Sequence, residues 1–486
     1  MQIQPIKVHS KNKKVFEYKG KPVILVCATE HYGSVLNRLF DFEAYLKDCK
    51  EKNQNYTRLF LLFRELQTHD NPYSTLKAES TDYISPFKRV GPELAVDMLP
   101  KYDLEVWNEE FFERLHRFMR LAQEYDVIVE VVLFSCQYQK HLFDLTPLCC
   151  KNNINGTEDI DFNMLLSMKA PKLFEYQKKY VKKIVTELNP YPNFIFQICN
   201  EPICFQPQIV SVDDINAWQD ELIKIVRGLE KDMPNQHLIA AEDIYKWFPG
   251  EELEVLTDHA FREMDIDIVD IHPLDNMVYE GKRYDPGHFM TKLLRLETYK
   301  EFCLDMYKEE KVVNIDEDNV ASRYRDYDGW TIHRKRAWTA VMCGAHYDFI
   351  DFSIQVMCPA GTPDSQKHLR SWFKYLQDYL GQVDLVSCKP SCCLKKTPDD
   401  TLGCVMESEN EYHIYIADKR ELDEPGYGCV VKGLLVVDLA DEEYLVTTYS
   451  PEFGQFSVGI RVTGGAGTEI ILPEFRHDIV IRLKKL

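Results

Sequence analysis

Two glutamates end apolar runs in which a charge has no ordinary place. Glu201 closes "FIFQICNEP" (194–202) just behind Asn200, and Glu317 closes "KVVNIDE" (311–317). A carboxylate at the end of a buried strand costs free energy unless it is paired or used. Two carboxylates facing each other across a sugar are what glycosidic cleavage uses, one protonating the leaving oxygen and the other attacking the anomeric carbon. Asn-Glu-Pro alone would also serve as a helix N-terminus with an acidic first turn, so the case rests on the pair. Within "DED" (316–318), alternation puts Glu317 on the side of Val313 and Ile315, with Asp316 opposite, which favours Glu317. Arg58 lies inside another apolar run, "NYTRLF" (55–60), and a buried guanidinium needs an anion such as Glu317.

Positioning these groups takes a scaffold whose strand ends converge. From residue 21 to about 357, short apolar runs alternate with longer segments of helical period. The strand candidates are 22–28, 55–63, 127–134, 194–199, 237–242, 266–272, 311–317 and 347–354. Amphipathic segments at 41–53, 109–126, 171–189 and 214–232 lie between them. In the third, Leu173, Tyr176, Tyr180, Ile184 and Leu188 fall on one helical face. Eight strands with intervening helices predict a (β/α)₈ barrel, and no strand is followed by Rossmann or P-loop glycine spacing. Strands four and seven then face each other across the mouth.

After about residue 383 the texture changes to six short β-rich runs without helices, from "EYHIYIAD" to "DIVIRLKKL", which predict an antiparallel sandwich. The expected division is a barrel domain over 1–382 and a β-domain over 383–486. A hairpin signal, "VFEYKGKPVIL", turns at Lys19-Gly20 and is expected to pack on the barrel floor or on the β-domain.

Composition narrows the partners. The chain has 486 residues, 45% apolar and 28% charged, with 58 basic against 78 acidic residues and a formal net charge of −20. That balance disfavours nucleic acid and anionic membrane, and makes a strongly anionic polymer a less attractive substrate. No run is apolar enough for a signal peptide or a membrane span. Fifteen scattered cysteines without a C-x-x-C pair read as reduced thiols of a cytoplasmic protein, although a secreted protein without its leader would look the same. The 14 histidines show no metal-binding spacing, so neither a catalytic metal nor a cofactor is expected. Self-association is left open.

Reading the strand ends in order gives Glu30 and His31, then Arg58, then Gln137, Tyr138 and His141. Asn200 and Glu201, Glu242 and Asp243, His272, Asp316 and Glu317, and Asp348 or Asp351 follow. His31 and His272 are expected to line the pocket. The long connection 135–162 sits where functional loops gather and is expected to shape the leaving-group side.

The motifs resemble the clan of retaining (β/α)₈ glycoside hydrolases that includes the cellulase and β-galactosidase families. "FIFQICNEP" looks like its Asn-Glu-Pro strand-four signature, "KVVNIDE" like its strand-seven nucleophile pattern, and "NYTRLF" like its strand-two arginine. "HRKRAWTAVMCGAHYDF" followed by a small β-domain is similar to the apiosidase-like branch. The likeness covers most of the chain in layout and only short motifs in residues. It implies Glu201 as acid/base, Glu317 as nucleophile, Asn200 as partner of the sugar 2-hydroxyl, and Arg58 as the group orienting Glu317. A retaining hydrolase acting through a covalent glycosyl-enzyme follows. A cation beside one carboxylate would keep it ionised, while the neighbouring charge and burial would raise the other's pKa.

The sequence also departs from that pattern. Strand six ends "HPLDN" with His272 but no following tyrosine, and strand eight, "YDFIDFSIQ", has no tryptophan platform. Tyr32, Tyr138, Tyr245 and Trp247 are the candidates to stack against the sugar. The departures keep two alternatives open, a non-catalytic carbohydrate-binding barrel and an inverting hydrolase.

Overall fold

The computed structural model describes residues 3–246, 254–255, 258–287 and 291–486. Seven parallel strands follow one another around the sheet in chain order: Tyr56–Phe60, Ile128–Ser135, Phe194–Asn200, Leu238–Glu242, Ile268–Asp270, Val312–Ile315 and His346–Tyr347. They are the second to eighth strands of the (β/α)₈ barrel. The first is reduced to bridges. Val26 and Thr29 pair in parallel with Tyr347 and Ile350. On the side toward Tyr56–Phe60, side chains replace a ladder: Val26 N–H donates to Asn55 Oδ1 (3.1 Å) and Ala28 N–H to Gln54 Oε1 (2.9 Å). Buried backbone donors need partners, and these amides supply them where the strands diverge.

The helices form where expected. Pro171–Leu188 opens with proline at its first turn, where the missing N–H costs nothing, and buries Leu173, Tyr176, Tyr180, Ile184 and Leu188. Val212–Glu230 starts at a reciprocal capping box between Ser211 and Asp214. The N-terminal hairpin, Phe16–Tyr18 with Lys21–Val23, turns at Lys19 and Gly20, both at positive φ. Phe16 and Tyr18 share a buried cluster with Tyr56, Ile128, Ile195, Leu238, Ile268 and Val312, the starts of the barrel strands. The hairpin therefore closes the barrel floor.

A second hairpin, Phe87–Leu94 with Pro100–Trp107, fills the long connection after the second strand and was not expected from the sequence. Its Gly91-Pro92 and Pro100 read as loop punctuation.

From Lys389 onward the chain is antiparallel β. One sheet runs Lys389–Pro390, Thr401–Glu407, Glu411–Asp418, Asp478–Lys485, Glu443–Ser450 and Gln455–Phe456, with Ile460–Thr463 also on Glu443–Ser450. The other holds Leu394–Lys396, Val431–Val437 and Thr468–Phe475. Thr401–Glu407 escaped the sequence reading because Gly403 interrupts it. A Cβ at Gly403 would lie 2.2 Å from Leu394 Cδ2, so the two strands need that glycine to approach.

The helix Tyr327–Met342 is sandwiched between barrel and β-region, and its "RKR" is buried. Each cation has a fixed partner. Arg334 makes a bidentate pair with Asp478 (2.9 and 2.9 Å). Lys335 Nζ donates to Asp418 O (2.8 Å), and burial lowers its pKa to about 8. Arg336 pairs with Asp318 (2.6 and 3.0 Å), immediately after Glu317. Removing one member of a buried pair strands the other charge. Asp478→Ala is therefore expected to cost about 3–5 kcal/mol in denaturant titration, and Glu474→Ala, at an exposed position of Thr468–Phe475, almost nothing.

Candidate active site

Arg58 is the hub. Period two along Tyr56–Phe60 turns its side chain into the barrel, where it is fully buried, in register with Glu130 on the next strand. Its Nε donates to Glu130 Oε1 (3.2 Å), its Nη1 to Glu317 Oε2 (2.6 Å) and to the Tyr32 hydroxyl (2.8 Å). Its Nη2 reaches Gln197 Oε1 (2.6 Å), Asn200 Oδ1 (2.8 Å) and Asp316 Oδ2 (2.9 Å). One guanidinium thus ties strands two, three, four and seven together through its rigid fork of donors.

Both members of "DE" at 316–317 use it, but differently. Asp316 is wholly buried and also accepts from Gln197 Nε2 (3.1 Å). Glu317 reaches the surface at 6% exposure. Its Oε2 accepts from Arg58 and from the Tyr32 hydroxyl, and its Oε1 from Asn319 Nδ2 (2.5 Å). The carboxylate is held on both oxygens.

Glu201 leaves strand four with φ at 46°, a left-handed conformation that costs a non-glycine residue and is found at sites that need a side chain re-aimed. Its N–H donates to Glu242 Oε1 (2.9 Å). Its Oε1 accepts from His272 Nδ1 (2.8 Å) and its Oε2 from the Tyr138 hydroxyl. Ligand atoms of Glu201, His272 and Glu317 all lie within 4.8 Å of one another. The two carboxylates therefore face each other across the mouth.

The electrostatics differ from expectation at Glu201. Burial alone would raise its carboxyl, but the hydrogen bond from His272 and that ring's charge, with help from Tyr138 and Arg58, bring it below the ordinary range. Burial would likewise lower His272, yet the charges of Glu242, Asp316 and Glu317 raise it well above the ordinary imidazole value. The proton of the pair rests on His272, whose Nε2 faces Asp316 (3.4 Å) and Glu242 (3.6 Å). Deeper in the barrel, burial pushes Glu242, Asp270 and Asp348 well up and Glu130 up to about 7. Glu242, Asp270 and Asp348 are held toward the neutral form because one arginine and one imidazolium cannot balance every buried carboxyl. Donor atoms of Glu242, His272 and Asp316 are close enough to share a cation, but the positive charge they take is already supplied by His272 itself and by Arg58.

Asn200 joins Arg58 to Ser135 Oγ (3.2 Å) and stands beside the Tyr138 hydroxyl (3.5 Å). Two of the tyrosines expected to stack on sugar, Tyr32 and Tyr245, are buried and do other work. Tyr32 is buried against Phe60 (ring centroids 4.0 Å) and spends its hydroxyl on Glu317. Tyr245 is buried, with its oxygen accepting from His272 N–H (3.1 Å). His31 is buried against Phe352 (5.0 Å), and burial lowers its imidazole to about 3, so it is a neutral wall and not a cation. Trp247 lies outside the described residues. Gln197, Asn319 and Glu130 went unnoticed in the sequence as site residues, whereas Glu242 was among the strand-end residues read there. Glu130 could have been found by the argument used for Arg58, since "VIVEVV" places a charge within an apolar strand.

Barrel, strand-end carboxylate pair and buried arginine together define a (β/α)₈-barrel glycosidase. The family model for cellulase (glycosyl hydrolase family 5) matches residues 88–341, just over half of the sequence, and the chain belongs to that family. Its fold is similar to that of a family 5 glycoside hydrolase from Bacteroides vulgatus, with TM-score 0.61 at 12% identity over 99% of this chain and 92% of that one. Another glycoside hydrolase structure gives TM-score 0.59 at 13% identity over 99% and 97%. An endo-1,4-β-mannanase from Rhizomucor miehei gives 0.50 at 14% over 79% and 100%. At these identities the likeness is one of fold. No curated protein sequence matches the chain. Among the described residues no helix is long and apolar enough to cross a membrane.

Proposed function

We propose that the chain hydrolyses an O-glycosidic bond with retention of configuration, Glu317 acting as nucleophile and Glu201 as acid/base. The observation that carries this reading is the approach of a Glu201 oxygen and a Glu317 oxygen to within 4.8 Å. Retaining pairs are about 5–5.5 Å apart, whereas an inverting pair needs about 6.5–9.5 Å to admit water between sugar and base.

In the first step a Glu317 oxygen attacks the anomeric carbon, the bond to the leaving oxygen breaks, and that oxygen takes the proton stored in the Glu201–His272 pair. The surroundings favour this transfer. Glu317's charge helps hold His272 protonated, and that charge is consumed as the ester forms. In the second step water attacks the same carbon, its proton returns to the pair, and Glu317 is released. In this reading residues 1–382 carry the chemistry, and residues 383–486 brace the loop after Glu317 through the buried helix that bears Arg336.

Proton NMR of the first-formed sugar from a panel of para-nitrophenyl glycosides tests the assignment. The product released first is expected to have the anomeric configuration of the substrate. Release of the opposite anomer would overturn the double displacement.

A further inference from the structure

A cavity of about 650 Å³ is lined among others by Tyr73, Thr75, Lys77, Arg323, Arg325 and Phe352. Its size lies in the usual range of small-ligand sites, about 300–1,000 Å³. Its contacts place it on the Glu317 side of the mouth. Phe352 stacks on His31, the neighbour of Tyr32, whose hydroxyl is on Glu317. Thr75 N–H donates to His31 Nδ1 (3.3 Å). Arg323 follows Asn319 and Ser322, of which the first donates to Glu317 and the second touches Asn319 Oδ1 (3.3 Å).

Its charge is opposite to that of the chain. Lys77, Arg323 and Arg325 line it, and its described lining contains no aspartate or glutamate, in a protein of net charge −20. Elsewhere the arginines near the site have carboxylate partners, Arg58 on Glu317, Arg336 on Asp318 and Arg370 on Asp48. Among the described residues no carboxylate oxygen lies within 4.0 Å of Lys77, Arg323 or Arg325, and Arg323 donates only to the neighbouring Tyr324 hydroxyl (3.2 Å). Unpaired cations gathered around a concave wall concentrate anions there. Guanidinium forks suit a carboxylate or a sulfate ester, and the exposed ring of Tyr73 offers a surface to a sugar.

We propose that this cavity binds an anionic sugar, so that the enzyme's substrate carries a carboxylate or sulfate on the glycone side of the cleaved bond. The proposal rests on the glycosidase reading above and reverses the inference from net charge, because three local cations outweigh a distant acidic surface screened by salt.

The test compares para-nitrophenyl glucuronide with the glucoside, and a sulfated galactoside with the galactoside, for the native enzyme and for R323A/R325A. At least one anionic member is expected to exceed its neutral partner about tenfold in kcat/KM. In the double variant that advantage should disappear through a higher KM, with hydrolysis of the neutral glycosides unchanged. Which anionic member responds names the group. Equal kcat/KM within both pairs, or a preference that survives in R323A/R325A, would overturn the proposal. Hydrolysis of none of the four would count against the glycosidase reading. In that event the cavity is tested separately by titration calorimetry of the same four compounds on E317Q: saturable binding of an anionic member, lost in E317Q/R323A/R325A, upholds it, and no binding overturns it.

Discussion

Glu317→Ala is expected to lower turnover of an activated aryl glycoside by about 10⁴-fold or more, and added azide to restore much of it while yielding a glycosyl azide of inverted configuration. Truncation removes the attacking oxygen but leaves Arg58 Nη1, the Tyr32 hydroxyl and Asn319 Nδ2 around the space it filled. A small anion drawn there by the arginine meets the anomeric carbon from the face Glu317 would have used, and the product cannot be displaced a second time. Glu201→Ala should behave oppositely. With para-nitrophenol leaving, little acid assistance is needed, the glycosyl-enzyme accumulates, and azide attacks it from the other face to give net retention. Unchanged turnover in Glu317→Gln, or azide products of the same configuration from both variants, would remove Glu317 from the nucleophile's role.

The parts of this site that could be read in the sequence are those where polarity conflicts with a strand. Arg58, Glu201 and Glu317 each sit in or at the end of an apolar run, and a charge there has few innocent explanations. The barrel was legible for the same reason, since continuous apolar strands alternate with amphipathic helices. The first strand, read at 22–28, is reduced to bridges in the structure, because its pairing is sparse and side chains of Gln54 and Asn55 replace its second ladder. Tyr32 and Tyr245 were misread because a sequence shows that an aromatic ring is near a strand end, but not which way it points. Tyr32, at φ 57°, turns its hydroxyl back onto Glu317. The hydroxyl on Glu317 thus comes from the first segment of the barrel. The pKa of Glu201 was misjudged for a related reason: its dominant neighbour, His272, lies 71 residues away in the chain. The burial of the helix over 327–342 has no signal in "RKR", which is ordinarily solvated, because the partners that make it tolerable, Asp478 and Asp418, lie in the β-region.

Arg58→Met should damage folding and catalysis together, and the pH dependence of the damage separates the arginine's charge from its bulk. The native guanidinium satisfies Glu130, Asp316 and Glu317 at once, so methionine, of similar length, leaves the carboxylates without their shared cation. In the native protein burial would raise Asp316, but Arg58 and then His272 hold it below its ordinary value. A carboxyl whose folded pKa is depressed contributes stability above its unfolded pKa and loses it as pH falls. Without Arg58 the sign reverses. Asp316 then has a folded pKa above its unfolded one, and Glu130, already pushed up to about 7 by burial, rises further, so the variant loses stability as pH rises through them. The gap in denaturant midpoint between the native protein and Arg58→Met should therefore be smaller at pH near 4 than at pH near 8. By pH near 8 the gap should open to about 3–5 kcal/mol, with activity on an aryl glycoside down by at least about 10²-fold even in the folded fraction. Arg58→Lys should recover part of the stability, because it restores the charge, and little of the activity, because an ammonium cannot reproduce the fork that aligns Glu317, Asn200 and Gln197. A stability gap that is the same at both pH values would mean that Arg58 acts by packing and not by charge.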